Sequence, residues 1–428
     1  MLIGCVLPVM ASLGSELPGG ELFGSSVAAV GDADGDGCAD FAVSLGTLSA
    51  HGTPTECTHA SVAILSGVDG HRIATGAFGL HVERFSQHSL VEFGDVDADG
   101  SPDLGFVGWR WVVPVEGSRA KWGWVVAILS GKDAGTLRSW SFDGRRRGVS
   151  ITNVPDMDVD GAPEIAVAVG CRASEDRFGS VWIRSGKSGQ LLQQFDGTST
   201  ARISGDEITT AGDFDRDGRA DLAISVEGRD DFVDGRIEVR SSLTGERLLR
   251  IAEEGGLRGG TFATVGDIDG DRMDELAVGA VPHGAYGHYD VRIHSGADGR
   301  VLRTIPGLLD EAKSGDVVAT GDCDGDGTPD VLVSEYAPFS WGIARLVSGR
   351  DGSTLMQSDS APYSENDWTE ELGYSIAHIG DTDGDGTGDV VLGCCNPWSD
   401  QTGWVQLCSG RSGLVRFAVD QRVIDESK

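Results

Sequence analysis

A nine-residue acidic pattern occurs seven times in this chain and leaves few folds open to it. Its first copy is Asp32-Ala33-Asp34-Gly35-Asp36-Gly37-Cys38-Ala39-Asp40. Carboxylates stand at positions 1, 3, 5 and 9, and glycine stands at position 6. Alternate side chains of so short a loop converge, and the glycine permits the sharp bend that brings the last carboxylate back. The copies begin at Asp32, Asp95, Asp156, Asp213, Asp267, Asp322 and Asp381, spaced 54 to 63 residues apart. A drifting period of this kind describes one unit repeated with connections of variable length.

Each unit reads alike. An alternating run enters the loop, as in Ser26-Val27-Ala28-Ala29-Val30, and another leaves it, as in Asp221-Leu222-Ala223-Ile224-Ser225. A variable segment follows. A third run then ends in a Ser-Gly turn, as in Ser66-Gly67-Val68-Asp69-Gly70 or Ser348-Gly349-Arg350-Asp351-Gly352, relaxed in the fourth unit to Ser241-Ser242-Leu243-Thr244-Gly245, which hands over to a fourth run. The last glycine of the turn supplies the positive φ of a tight hairpin. Four short antiparallel strands, A to D, repeated seven times, predict an all-β, seven-bladed β-propeller with a calcium loop in each blade. A β-helix fits less well, because hairpin turns imply antiparallel strands. The predicted layout is an N-terminal segment over 1–20 (export-signal remnant or latch strand), the propeller over 21–420 and a C-terminal tail over 421–428. Strand alternation puts the acidic A–B loops and the Ser-Gly C–D turns at one end of the ring. The variable B–C and D–A connections fall at the other, with the B–C segment of blade 1 expected from about Leu45 to His59.

The formal net charge is −33. The seven loops supply 28 of the 67 acidic residues. Such a chain excludes nucleic acid and anionic membrane as partners, since both require a basic patch. No run of 18 apolar residues exists, so no transmembrane segment is expected. Residues 2–11 are apolar but lack a preceding Lys or Arg, so they read equally as an export-signal remnant or a strand. The eight cysteines match no zinc spacing, and Cys395 and Cys408 are a candidate pair on adjacent strands of the last unit.

The predicted metal ligands are Asp32, Asp34, Asp36 and Asp40 in loop 1, and Asp95, Asp97, Asp99 and Asp103 in loop 2. Loop 3 offers Asp156, Asp158, Asp160 and Glu164, and loop 4 offers Asp213, Asp215, Asp217 and Asp221. Loop 5 offers Asp267, Asp269, Asp271 and Glu275, with Arg272 in place of the glycine. Loop 6 offers Asp322, Asp324, Asp326 and Asp330, and loop 7 offers Asp381, Asp383, Asp385 and Asp389. An all-oxygen, multiply charged set suits Ca²⁺ better than Mg²⁺, which prefers strict octahedral geometry. Up to seven calcium ions are expected, each stiffening its A–B turn rather than acting as a sensor.

The layout resembles the FG-GAP repeat, the blade unit of integrin α-chain propellers and of many secreted bacterial proteins. Phe23-Gly24 stands in blade 1 as the naming dipeptide does, and Gly279-Ala280-Val281-Pro282 is a remnant of the other element, whereas blade 7 has Gly373-Tyr374. In integrins only some blades carry the calcium loop; here all seven do. The resemblance implies a free-standing, calcium-stabilised adhesion or recognition module that binds a protein or glycan. A monomer is expected, and because millimolar extracellular calcium suits such loops better than cytosol, its expected place is outside the cell, at its surface or in a periplasm. Similar calcium-loop propellers include fungal lectins, and a related propeller occurs in polysaccharide lyases, so a carbohydrate-active protein is the alternative.

The B–C segment of blade 2 is the richest in aromatics: Trp109 and Trp111 precede Trp122, an aromatic platform for a sugar or a partner side chain. Tyr286, with Tyr289 and His283 and His288 nearby, stands in blade 5, and Trp341, with Tyr336, in blade 6. The competing reading packs these rings between blades. No nucleophile elbow, HExxH or phosphate loop is present, and no catalytic residue is assigned.

Overall fold

A computed structural model describes residues 23–48, 57–77, 90–112, 121–143, 148–170, 178–227, 235–252, 261–280, 289–309, 314–336, 342–359, 372–394 and 403–420. These form 28 strands in seven four-stranded antiparallel sheets, each ordered as the chain runs. Blade 1 comprises β1 (Val27–Gly31), β2 (Asp40–Leu48), β3 (Cys57–Leu65) and β4 (Arg72–Ala77). The other blades repeat this order. Their first strands are β5 (Leu90–Phe93), β9 (Val149–Val154), β13 (Arg202–Thr210), β17 (Phe262–Gly266), β21 (Ser314–Gly321) and β25 (Leu372–His378). These seven first strands line one central cavity of about 390 Å³. The seven-bladed propeller expected from the repeats is therefore the fold.

The period of two explains how the ring holds. Successive side chains of a strand point to opposite faces. In β2, Phe41, Val43 and Leu45 pack toward blade 7, while Ala42 packs toward blade 2. Every blade divides its apolar residues this way. The core is seven clusters, one in each gap between neighbouring blades, with no single centre. No blade buries its apolar faces alone, which makes the ring one cooperative unit.

The gap between blades 7 and 1 is built like the others. Phe41 stacks on Phe417 with ring centroids 6.5 Å apart. Ser375 Oγ donates to the carbonyl of Gly24 at 2.9 Å. Among the described residues no strand crosses this seam, since β25 pairs only within its own sheet.

Three expectations change. The B–C hairpins of blades 1 and 2 are longer than expected. β2 and β3 stay paired out to Leu48 and Cys57. In blade 2, β6 (Asp103–Val112) and β7 (Lys121–Leu129) carry Trp109, Trp111 and Trp122 as ladder residues rather than loop residues, because Trp, Val and Ile favour the pleated ladder. Second, Cys408 is a free, buried thiol on β27 (Trp404–Cys408) facing Val390 across the ladder. On β26 (Val390–Cys394) it is Cys394 that stands opposite Trp404, at the far end from Cys408, so the end of β26 next to Cys395 is out of disulfide reach. Cys395 itself lies outside the described residues. Third, Tyr289 and Tyr336 are core residues: Tyr289 is 2% exposed and shares a 2.7 Å hydrogen bond with Thr261, and Tyr336 lies against Tyr374.

Candidate metal centres and the opposite face

The seven acidic loops share one backbone path. Positions 4 and 6 both take left-handed φ. Position 6 is glycine in six loops and Arg272, at φ 72°, in loop 5. Position 4 is glycine in loops 1, 5, 6 and 7, but Ala98, Val159 and Arg216 hold the same conformation in loops 2, 3 and 4, at φ 61° to 62°. This path turns backbone N–H groups onto the carboxylates. In loop 1, Asp32 Oδ1 accepts from Gly35 N at 2.7 Å and Asp36 N at 3.1 Å, and Asp32 Oδ2 accepts from Gly37 N at 2.9 Å. Asp34 accepts from Asp36 N at 3.1 Å, and Asp36 accepts from Cys38 N at 2.8 Å. The same contacts recur in loop 7 about Asp381, Asp383 and Asp385.

The fourth carboxylate is of another kind. Position 9 is fully buried in every loop. Asp40 Oδ2 accepts from Ala33 N at 2.8 Å, inside its own loop, and Asp40 Oδ1 accepts from Gly67 N at 3.0 Å, in the C–D turn. Asp103 joins Val96 and Gly131 in the same way, Asp221 joins Phe214 and Ser242, Asp330 joins Cys323 and Gly349, and Asp389 joins Thr382 and Gly410. Glu275 reaches Ile268 N and, at 3.5 Å, Gly296 N. This carboxylate clamps the A–B loop to the C–D turn, so both lie at one end of the ring, as alternation requires.

The clamp also explains the Ser-Gly dipeptide. A Cβ on Gly67 would sit 1.9 Å from the carbonyl oxygen of Ala39, and one on Gly349 would sit 1.9 Å from that of Pro329. Close approach thus requires the first glycine in these turns, whereas blade 4 carries Ser242 at the same position. The turn's last glycine, as at Gly70 and Gly352, is required by positive φ of 77° and 78°.

Loop 3 breaks the clamp. Glu164 spends Oε1 on the N–H groups of Met157 and Asp158, and its buried Oε2 has no partner. A buried carboxylate oxygen left alone is costly, and a cation is what such an atom accommodates. Asp156, Asp158 and Glu164 each bring a ligand oxygen within 4.8 Å of the others. So do Asp213, Asp215 and Asp221, and in loop 5 all four of Asp267, Asp269, Asp271 and Glu275. In loops 1 and 2 the convergent sets are Asp32, Asp34, Asp36 and Asp95, Asp97, Asp99. The donor set is all oxygen and fits a hard divalent cation.

Electrostatics points the same way. Burial pushes Asp40, Asp103 and Asp221 up to about 6, opposed by their backbone hydrogen bonds. Burial pushes Glu164 and Glu275 up to about 7. Neighbouring loop carboxylates add to each shift. A cation beside the loop reverses both causes, because it favours the ionised form.

On the opposite face, the backbone register sets Trp109 across from Trp124 and Trp111 across from Trp122. This brings the three predicted tryptophans onto two paired strands near one hairpin end. Tyr286 and Trp341 lie outside the described residues, as do His283 and His288. Most of the B–C and D–A connections of this face also fall there.

These features define the class: a propeller with an acidic loop in each of seven blades, clamped by its last carboxylate to the C–D turn in six of them. No protein-family model matches the chain. It is similar to integrin α chains. Against mouse integrin alpha-8 it is 26% identical over 158 residues, 35% of this chain, and against human integrin alpha-8 26% identical over 163 residues. Against integrin alpha-PS2 of Drosophila melanogaster it is 28% identical over 165 residues. The matched segments span only 15%, 15% and 11% of those proteins' own lengths. The resemblance to integrin α chains thus holds in sequence over about a third of this chain. Among solved structures, a Bacillus licheniformis rhamnogalacturonan lyase covers 95% of this chain and 74% of its own at 14% identity and TM-score 0.45. The Dos1 propeller covers 94% and 86% at 9% identity and TM-score 0.45. No helix among the described residues is long and apolar enough to cross a membrane.

Proposed function

We propose that this chain is a calcium-stabilised, extracellular recognition module of the adhesion type. It binds a protein or glycan through the B–C and D–A face and is not an enzyme. The similarity to integrin α chains over 158 residues carries this reading. Calcium has a structural role in it. Positions 1, 3 and 5 of each loop hold the ion at the mouth of the A–B turn, with position 9 completing the set, most directly through Oε2 of Glu164. The ion supplies charge neutralisation: without it, carboxylates 4 Å apart repel by about 1 kcal/mol per pair even at the dielectric of water. Trp109, Trp111 and Trp122 are the proposed aromatic contacts for the ligand, together with Tyr286 and Trp341.

Two measurements test the reading. Melting with calcium and with EDTA should show one cooperative transition that moves down sharply on chelation, and an unmoved transition removes calcium from the account. A panel of immobilised glycans and matrix proteins should give binding without turnover. Cleavage of a polyuronide would replace the recognition module with a lyase on the same scaffold, and glycan binding without cleavage would mark a lectin.

A further inference from the structure

Basic side chains on or just after the C–D turns reach back onto the acidic loops of their own blades. In blade 6, Arg350 is the third residue of its turn. Its Nε lies 3.2 Å from Asp326 Oδ2, and its Nη2 donates to the Asp326 carbonyl at 2.6 Å. Arg411, at the same turn position in blade 7, sets Nε 3.9 Å from Asp385 Oδ2. Lys187, at that position in blade 3, donates Nζ to the carbonyl of Asp160 at 2.7 Å. Blade 5 has Ala297 there instead, and Arg300, just past the turn, places Nη2 3.4 Å from Asp269 Oδ2. Asp160, Asp326 and Asp385 are the position-5 acids of their loops, and Asp269 is a position-3 acid.

We infer that Lys187, Arg300, Arg350 and Arg411 are tethered cations that hold loops 3, 5, 6 and 7 together when calcium is absent, and that they lower the calcium affinity of those loops. The inference rests on the calcium reading. Each side chain answers the negative potential that calcium would otherwise answer. An interaction that favours the calcium-free loop weakens calcium binding by the same factor, because the two equilibria are linked. The arginines are 58 to 62% exposed at their side chains, so each pair is weak and salt-screened. The effect is a grading of loop affinities rather than a switch. It would let the ring tolerate calcium depletion that a bare cluster of carboxylates would not.

The test is the full chain carrying K187Q, R300Q, R350Q and R411Q, titrated with calcium chloride by chelator competition and melted with calcium and with EDTA. The expected result is a calcium midpoint lowered about threefold at these loops. The melting temperature should fall in EDTA and change less in saturating calcium. An unchanged midpoint, or equal losses of melting temperature with and without calcium, overturns the inference and leaves the calcium reading standing. A wild-type chain that takes up no calcium removes both. Because the arginine side chains are exposed, folding of the variant is not at stake.

Discussion

At the scale of single residues, the acidic loops show where backbone conformation and side-chain identity disagree. Val159 takes a left-handed φ of 62° at position 4 of loop 3, where loops 1, 5, 6 and 7 use glycine. A β-branched residue there clashes with the backbone, at about 1–2 kcal/mol. Val159 is 88% exposed, so it recovers nothing by packing. Val159→Gly should therefore stabilise the protein by about 1 kcal/mol, read as a higher urea midpoint, and an unchanged or lower midpoint contradicts the strain. The converse holds where the backbone approaches closely. Gly67→Ala places a Cβ against the Ala39 carbonyl, and the overpacking should cost about 2 kcal/mol. Spacing alone made the loops legible, down to the glycine that loop 5 replaces with Arg272. It does not distinguish an acid that faces an ion from one that accepts two backbone N–H groups. The clamp at position 9 is therefore invisible in the sequence, where Asp40 and Asp36 read alike.

At the scale of the strand, period-two patterning marked the ladders but misplaces one interior. Strand β15 (Arg236–Arg240) reads Arg236-Ile237-Glu238-Val239-Arg240, charged on every second residue like a strand with one wet face. All five residues are buried. Glu238 is fully covered and bridged by Arg236 Nε at 2.9 Å and Arg240 Nη2 at 2.7 Å, and Arg236 also donates to the carbonyl of Thr200. Burial opposes the charge on Glu238, but the hydrogen bonds and charges of Arg240 and Arg236 outweigh it and hold the carboxyl below its usual range. Removing one partner of such a group leaves buried charge uncompensated, so Glu238→Gln should cost about 3 kcal/mol at neutral pH. A carboxyl held below its unfolded pKa stabilises the fold above that pKa, and the contribution fades as pH falls through the lower folded value. The stabilities of wild type and Glu238→Gln should thus converge below about pH 4. A constant gap across pH would mean that the ionised triad is not the source. Patterning also ended the hairpin of blade 2 too early, because a Trp- and Val-rich run reads as a ligand platform as readily as an extension of the ladder.

At the scale of the whole ring, each gap between blades carries its own apolar cluster, and polar contacts at the turn end recur from blade to blade. Arg138 donates Nε to the carbonyl of Gly186 in the next blade at 2.8 Å. Gln193 reaches the carbonyl of Leu243 and Arg303 that of Arg350, again one blade on. Arg416 makes the equivalent contact across the seam, with the carbonyl of Gly67 at 3.5 Å, and also pairs with Asp389. A seam stitched like the other gaps, with no described strand crossing it, is one gap among seven. Circular permutation is the discriminating experiment. The connection from Gly197 to Ala201 joins blades 3 and 4 in five residues, with a small bridge between Thr198 and Ala201. A chain opened at Thr200, with residues 420 and 23 joined by a linker of comparable length, should fold to the same propeller. It should melt in one transition within about 5 °C of the parent, which for a chain of this size corresponds to a change of no more than about 4–5 kcal/mol. Two transitions, or a loss far beyond that, would mean that the seam depends on residues other than the described blades.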